Sequence, residues 1–156
     1  ANVTPKTLQT ASKLMARGAK RDLIMQQLYK TRSVGTLRLW GRALARLKTD
    51  EKERVVWTMI SQQDFLHAGA QEEDLSDVID ELIATSPDAK IVAILFEQRD
   101  RNICAIVRAE HPLDAIAMTG QFKPSGSREE VRLCFVNRSI VDVEKELMAQ
   151  LKTVQQ

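Results

Sequence analysis

The sequence predicts an α+β fold, α/β-like in texture, in which an N-terminal helical arm precedes a small mixed β-sheet flanked by helices. Residues 1–48 carry apolar side chains at helical spacing and contain no strand-like run. Residues 54–156 instead alternate short apolar runs with amphipathic stretches, which is typical of strands and helices sharing one core. We therefore predict an arm over residues 1–48 and a domain over residues 54–156 with about four or five strands.

The arm is predicted to hold three helices. Thr4 as N-cap and Pro5 at the first helical position begin the first helix, and Gly18 ends it. A second, short helix covers residues 21–30, and a third covers residues 33–48.

The third helix should pack through one apolar face. Residues at three- and four-residue spacing make up this face: Leu37, Trp40, Leu44 and Leu47. We expect Gly41, which weakens the helix interior, to permit a close helix contact. The polar run at residues 49–53 then marks a boundary.

The second domain opens with a predicted strand at residues 54–60 and a short helix capped by Ser61. A longer helix over residues 72–85 carries one apolar stripe. The residues of this stripe are Leu75, Val78, Ile79, Leu82 and Ile83.

The rest of the domain returns to strands and closes on a helix. Residues 90–98 and 103–110 are predicted to form a hairpin, joined by a polar turn. Residues 112–120 are predicted to be helical and residues 131–136 to form a strand. Ser139 should cap the final helix.

The net charge of +2 conceals an asymmetry between the two segments. Residues 1–48 hold 11 Lys and Arg against one acid, whereas residues 49–156 hold 12 against 20 acids. Such an imbalance indicates contact with nucleic acid or docking against an oppositely charged partner. The alternative is that the segments are two structural units cut from a larger surface.

The composition also indicates where the protein works. No apolar run is long enough to cross a bilayer and no signal peptide opens the chain, so no membrane partner is expected. Cys104 and Cys134 each lie inside an apolar strand-like run. We expect buried thiols in a reducing compartment, which favours a cytoplasmic location.

Catalytic motifs are missing from the sequence. His67 and His111 are the only histidines, and neither lies in a metal-ligand motif. The acids of the 72–85 helix are interpreted as a solvated face, with an accidental cation site as the alternative: Glu72, Glu73, Asp74, Asp77, Asp80 and Glu81. We therefore predict no catalytic residues, no metal ligands and no cofactor in this chain.

Basic residues are the stronger candidates for binding. Arg38, Arg42 and Arg46 are spaced by four residues on the third helix, where like charges repel. Nucleic-acid phosphates or an acidic neighbouring domain would offset that repulsion, and a solvated face is the alternative. Arg108 ends a strand, from which it can reach into a cleft or pair with Glu110 or solvent.

Four segments, taken in order, carry a family resemblance: LYKTRSVGTLRLWGRALARL, VVWTMISQQDFLHAGAQEED, IVAILFEQRDRNICAIVRAE and LDAIAMTGQFKPSGSREEV. Their series resembles the C-terminal region of DHH phosphoesterases of the RecJ-like, oligoribonuclease and phosphoadenosine-phosphatase type, over essentially the whole chain. The resemblance implies a separate N-terminal DHH domain that carries manganese. It also implies that this chain is the DHH-associated part, which binds the phosphates and bases of the substrate.

The family's substrate signature is a strand ending in Arg-Ser, an Asp-led helix, a Phe and a glycine loop ending in His. Here Arg108 fits, Ala109 replaces the serine, and a helix from Asp114 to Phe122 has the expected length. At residues 123–127, where the family has its glycine loop, Gly126 is the one glycine of this sequence. Pro124 removes one N–H donor, and Ser127 stands in the histidine's place.

The resemblance thus implies a degenerate loop that contacts phosphate through side chains. The implied substrate-binding residues are Arg108, Lys123, Ser125, Gly126, Ser127 and Arg128. The ligand would be short RNA, a nucleotide or a cyclic dinucleotide. Two alternatives stay open: a regulatory or dimerisation module that has lost the ligand, with a homodimer as its form, and an enzyme active only as the intact parent protein.

Overall fold

The computed structural model describes residues 33–154, so the helices predicted before residue 31 lie outside the described residues. Within this part the helices are α1 (Val34–Ala45), α2 (Gln62–Ala68), α3 (Leu75–Thr85), α4 (Ala115–Met118) and α5 (Ile140–Val154). The strands are β1 (Lys48–Asp50), β2 (Val55–Ile60), β3 (Ile91–Glu97), β4 (Ile103–Ala109), β5 (Ser125–Gly126) and β6 (Glu130–Phe135). Short 3-10 helices occupy Glu72–Asp74 and Gly120–Phe122. The predicted α+β class is confirmed.

The six strands form one mixed sheet in the order β1-β2-β3-β4-β6-β5. Strands β2 and β3 are parallel, and α2 and α3 make the crossover that parallel neighbours require. The other neighbours are antiparallel. In the β3–β4 hairpin Glu97 lies opposite Ile103, which confirms the predicted pairing.

Helices cover both faces of the sheet. On one face α1, α2 and α3 bury the following residues against β2, β3 and β4: Leu39, Ala43, Phe65, Ala68, Leu75, Val78, Ile79 and Leu82. On the other face α4 and α5 bury Ala115, Met118, Val143, Leu147, Met148 and Leu151. The apolar stripe predicted for the 72–85 helix is confirmed at its four buried positions, and Ile83 is partly buried.

The predicted helix caps are present. The Ser61 hydroxyl accepts from the backbone N–H of Asp64, whose carboxylate accepts in return from the backbone N–H of Ser61. The Ser139 hydroxyl accepts from the backbone N–H of Asp142 at the start of α5. Both serines therefore satisfy N–H groups that a helix leaves without an internal partner.

The buried face of α1 differs from the predicted one. Thr36, Leu39 and Ala43 are buried, whereas the predicted face (Leu37, Trp40, Leu44 and Leu47) is only partly buried. Thr36 is accommodated because its hydroxyl donates to Asp74 at 2.8 Å. The buried face of α1 thus includes a polar residue whose hydroxyl has a partner, which apolar spacing alone does not reveal.

The glycine expected to permit a close contact was the wrong one. A Cβ added to Gly41 would meet nothing within 4 Å. A Cβ on Gly35 would lie 2.6 Å from the carbonyl oxygen of Gly69. The close approach of α1 to the end of α2 therefore occurs at Gly35.

The run at residues 49–53 continues into the sheet. Lys48–Asp50 forms β1, which pairs with β2. The side chains of Leu39 and Ala43 share one hydrophobic cluster with α3 and β3. The division into an arm over residues 1–48 and a domain over residues 54–156 stays a prediction.

The prediction of two buried thiols was wrong. Cys104 and Cys134 form a disulfide, because the register of β4 and β6 places them directly opposite each other. Cys104 is fully buried, whereas Cys134 is exposed. The sequence does not reveal this pairing because the two strands are far apart along the chain.

The helix predicted from Asp114 to Phe122 is shorter than expected. Asp114 caps α4, which ends at Met118, and a separate 3-10 turn follows at Gly120–Phe122. Phe122 packs against Phe135 with ring centroids 5.3 Å apart. Packing of this ring on β6 and the low helix propensity of Gly120 account for the break.

No helix among residues 33–154 is both long enough and apolar enough to cross a membrane.

Candidate functional site

The main candidate site is a groove of about 480 Å³ at one edge of the sheet. It lies where β3 begins, where β4 ends and just before β6 begins. Its wall includes the apolar side chains of Ile83, Val92 and Leu113. Its polar side chains are Ser86, Lys90, Arg108, Glu110, His111, Arg128 and Glu129. The groove, defined by these residues, is called the edge groove below.

Arg108 is held in the edge groove by two carboxylates. It faces Glu130 across the β4–β6 pair, and its Nε and Nη2 atoms donate to Glu130 Oε1 at 2.9 and 2.6 Å. Its Nη2 also donates to Asp80 Oδ1 of α3 at 3.2 Å. Pairing with Glu110, the alternative expected from the sequence, is not what holds this side chain.

These contacts govern the charge of Arg108. Burial disfavours the charged form, but the hydrogen bonds and charges of Glu130 and Asp80 outweigh it and raise the pKa of the guanidinium above its usual value. The side chain keeps 32% of its surface exposed, on the groove side. Arg108 is thus a permanent cation that a ligand can reach, already bonded to two protein acids.

Arg128 reaches the edge groove from a fixed backbone. Its carbonyl oxygen accepts from the backbone N–H of Ala115 at 2.7 Å, which ties the residue to the start of α4. Its side chain is 69% exposed, with Nε 3.4 Å from Asp114 Oδ2. A contact this exposed is weak, so the guanidinium is free to turn towards a ligand.

The loop at residues 123–128 is a hairpin turn. Ser125 and Gly126 form β5 against β6. The backbone N–H of Ser127 donates to the Glu130 carbonyl at 2.8 Å, and its hydroxyl accepts from the N–H groups of Glu129 and Glu130. These polar groups are therefore used inside the turn.

The turn itself requires Gly126. Its φ is +137°, and a Cβ there would lie 2.3 Å from the Glu130 carbonyl oxygen. Of the six substrate-binding residues predicted, Arg108 and Arg128 line the edge groove. The other four, Lys123, Ser125, Gly126 and Ser127, are outside its lining.

The arginine series on α1 meets an acid of α2. Arg42 Nη1 lies 2.9 Å from Asp64 Oδ1, and Arg46 pairs with the other oxygen of the same carboxylate. The Asp64 side chain is only 1% exposed. Arg38, the third member, is exposed.

The ionisation of Asp64 follows from these contacts. Burial alone would raise the pKa of its carboxyl. The backbone N–H of Ser61 and the guanidinium groups of Arg42 and Arg46 outweigh burial and lower that pKa. The repulsion between neighbouring arginines, which the sequence left unexplained, is therefore offset inside the fold.

The acids at residues 72–81 are partly engaged in ion pairs and hydrogen bonds. Glu72 pairs with Arg132, Asp74 accepts from Thr36, and Asp80 accepts from Arg108. Among residues 33–154 no group of three or more His, Cys, Asp or Glu side chains is arranged to hold a metal ion.

Lys90 and His111 line the edge groove but were not predicted as binding residues. The hairpin register contained a usable signal for Lys90. Strand β3 begins opposite the end of β4, and the backbone N–H of Glu110 donates to the Lys90 carbonyl at 2.8 Å. The predicted hairpin therefore placed a lysine beside the strand end that carries Arg108.

Two solved structures share this fold. An exopolyphosphatase-related protein from Bacteroides fragilis superposes with a TM-score of 0.68 at 18% identity, over 92% of this chain and 42% of that one. A pGpG-specific phosphodiesterase from Vibrio cholerae superposes with a TM-score of 0.57 at 12% identity, over 90% of this chain and 45% of that one. The chain thus spans less than half of either protein. No protein-family model and no curated protein matches the sequence.

Proposed function

We propose that this chain is a substrate-binding domain of a phosphoesterase, similar to the DHH-associated domain, and that it holds a nucleotide phosphate in the edge groove. The observation that carries the proposal is the meeting of Arg108 and Arg128 in one groove. The family resemblance marked both residues from the sequence, although they lie on different elements.

The fold comparison supports the same class of function. One neighbour is a phosphodiesterase specific for pGpG, and the other is related to exopolyphosphatases. Both are more than twice the length that this chain covers. We propose that hydrolysis, with manganese as the implied ion, belongs to a DHH domain outside this chain, and that the chain alone does not catalyse.

The lining of the edge groove favours a ligand with one phosphate group beside an apolar or planar part. Three cations, Lys90, Arg108 and Arg128, line it together with two acids, Glu110 and Glu129. A mixed set of charges attracts a single phosphate but opposes a dense run of them. The apolar wall at Ile83, Val92 and Leu113 offers a surface for a nucleobase.

The 123–128 turn does not serve this ligand as a glycine loop would. Glycine loops bind phosphate with backbone N–H groups, whereas here the Ser127 N–H is bonded within the turn. We propose that side chains, chiefly Arg108 and Arg128, bind the phosphate. Lys123, Ser125, Gly126 and Ser127 then support the turn that carries Arg128.

Calorimetric titration of the 156-residue chain with the dinucleotide pGpG tests the proposal. Arg108→Ala and Arg128→Ala should each weaken binding by about tenfold or more, since a charge-assisted hydrogen bond contributes roughly 1.5–3 kcal/mol. Arg99→Ala is the matched control, because Arg99 is exposed in the turn at the other end of the β3–β4 hairpin. Binding that survives both groove substitutions unchanged would contradict the proposal.

A regulatory or dimerisation module is the second candidate. It is favoured by the contacts of Arg108 with Glu130 and Asp80, which already satisfy the guanidinium without a ligand. In that case the chain would bind no pGpG at millimolar concentration. Sedimentation of the chain would then show a dimer whose stability is independent of nucleotide.

A further inference from the structure

One face of the β4–β6 pair carries a disulfide near the start of β4. Cys104 lies opposite Cys134, with Cα atoms 4.0 Å apart, and the next residues on the same face are Ile106 opposite Arg132. Side chains alternate between faces along a strand, so this face of β6 is the one turned towards the layer of α1, α2 and α3.

The two cysteines have unequal access to solvent. Cys104 is 0% exposed and belongs to the hydrophobic cluster under α1, α2 and α3, together with Phe96. Cys134 lies one strand further out and is exposed, as are Arg132 before it and Val136 after it. The helical layer therefore covers one half of the disulfide and leaves the other half open.

We propose that Cys134 is a site of reversible thiol modification, with Cys104 as its buried partner. The co-reactant is a small-molecule thiol of the glutathione class. Attack on a disulfide requires a direct approach to one sulfur, and Cys104 is fully buried whereas Cys134 is exposed. The incoming group therefore becomes attached to Cys134.

The exchange balances without any further reagent. The thiolate of the small molecule bonds to Cys134 Sγ, the bond between the two cysteines breaks, and Cys104 leaves as a thiolate that takes a proton from water. A second small-molecule thiolate then attacks the sulfur of the attached molecule. It releases a small-molecule disulfide and a free Cys134 thiol. Two thiols are oxidised and the protein disulfide is reduced.

An arginine lies close to Cys134 along β6. Arg132 is two residues away on the same face of β6, half-exposed, with its guanidinium 5.2 Å from the centre of the Phe96 ring. Arg132 is also paired with Glu72, so a carboxylate of a glutathione-like molecule would share its guanidinium with that acid. The buried side of the disulfide is lined by apolar residues instead.

Peptide mapping by mass spectrometry after treatment with reduced glutathione and an acid quench tests the site on the unmodified sequence. The adduct should be found on Cys134 and not on Cys104. In parallel, the variants Cys104→Ser and Cys134→Ser are treated with oxidised glutathione. The thiol of Cys134 should react at least about tenfold faster than that of Cys104, because a buried group reacts only when the fold opens.

Treatment of the same variants in denaturant is the control, and there the two rates should become equal. If a variant fails to fold, peptide mapping of the chain without substitutions still shows which cysteine carries the adduct. An adduct on Cys104, equal rates in the folded variants, no adduct on either cysteine, or the absence of a disulfide after oxidation would each overturn it.

Discussion

Arg108 is the residue on which the proposed binding in the edge groove should depend most. Its guanidinium lies between Glu130 at 2.6 Å and Asp80 at 3.2 Å. An incoming phosphate must share or displace these carboxylates, because their bonds are charge-assisted like those it would form. Glu130 and Asp80 would therefore compete with a bound phosphate for the guanidinium of Arg108.

Glu130→Gln should consequently tighten the binding of pGpG, by up to about tenfold, because one charge-assisted bond no longer opposes the ligand. Glu129→Gln is the matched control. Glu129 lines the same groove and forms no ion pair with Arg108, so its neutralisation should give a smaller gain. Calorimetry on the two variants measures the difference. An equal gain, or none with Glu130→Gln, would show that Glu130 does not compete.

At the scale of elements, a single carboxylate joins α1 to α2. The Asp64 carboxylate accepts a hydrogen bond from the backbone N–H of Ser61, which completes the capping box of α2. It also forms ion pairs with Arg42 and Arg46. A carboxylate with its pKa lowered in the folded state stabilises the protein above its unfolded pKa, near 3.8, and loses that contribution as the pH falls through its folded pKa.

Asp64→Asn should therefore lower the free energy of unfolding by roughly 1–3 kcal/mol near neutral pH, through loss of the charged cap and the arginine pairs. The difference from the unsubstituted chain should begin to shrink below about pH 4, and should vanish as the pH falls through the lowered pKa at which the folded carboxyl becomes protonated. Urea unfolding at both pH values measures this, with Asp88→Asn at an exposed position as the control. A difference that stays constant with pH would mean that the ionised form of Asp64 is not responsible.

Some helices and strands could be predicted from the sequence and others could not. Caps at Ser61 and Ser139 and the β3–β4 hairpin were predictable because each depends on neighbouring residues. Strands β1 and β5 were missed because they are short and lack apolar alternation, and they pair only because β2 and β6 have open edges.

Some features of the candidate site could likewise be predicted from the sequence, and others could not. Arg108 and Arg128 could be marked through the family resemblance, and Lys90 through the hairpin register. The ion pairs of Arg108 and the disulfide depend on β4 meeting β6 across a long connection. That register is decided by packing of the whole sheet, which local patterns do not contain.

At the scale of the whole molecule, two helical layers cover the sheet unequally. The layer of α1, α2 and α3 covers β2, β3 and β4 and leaves the outer face of β6 exposed, where Cys134 and Arg132 lie. The layer of α4 and α5 covers the opposite face as far as β6. The edge groove opens beside the end of α3 and the start of α4, so both layers contribute to its wall.

Two separate basic surfaces result. One is the edge groove, and the other is the exposed part of α1 around Arg38, where Arg42 and Arg46 are already paired with Asp64. The resemblance and the groove chemistry favour the first for a nucleotide. Binding of a nucleic-acid backbone by the exposed part of α1 stays a prediction. A titration with nucleotide that reports on each residue can distinguish the two surfaces.

The most direct measurement is mapping of amide chemical shifts in the isotope-labelled chain during titration with pGpG. We expect the shifted amides to cluster at residues 86–92, 108–114 and 128–130, around the edge groove. Arg108→Ala should move the midpoint of these shifts to a pGpG concentration about tenfold or more higher. Residues 34–46, which cover α1 and its C-cap, should change little, since their cations lie outside the groove lining. Shifts concentrated on α1, or no shifts at millimolar nucleotide, would contradict the account.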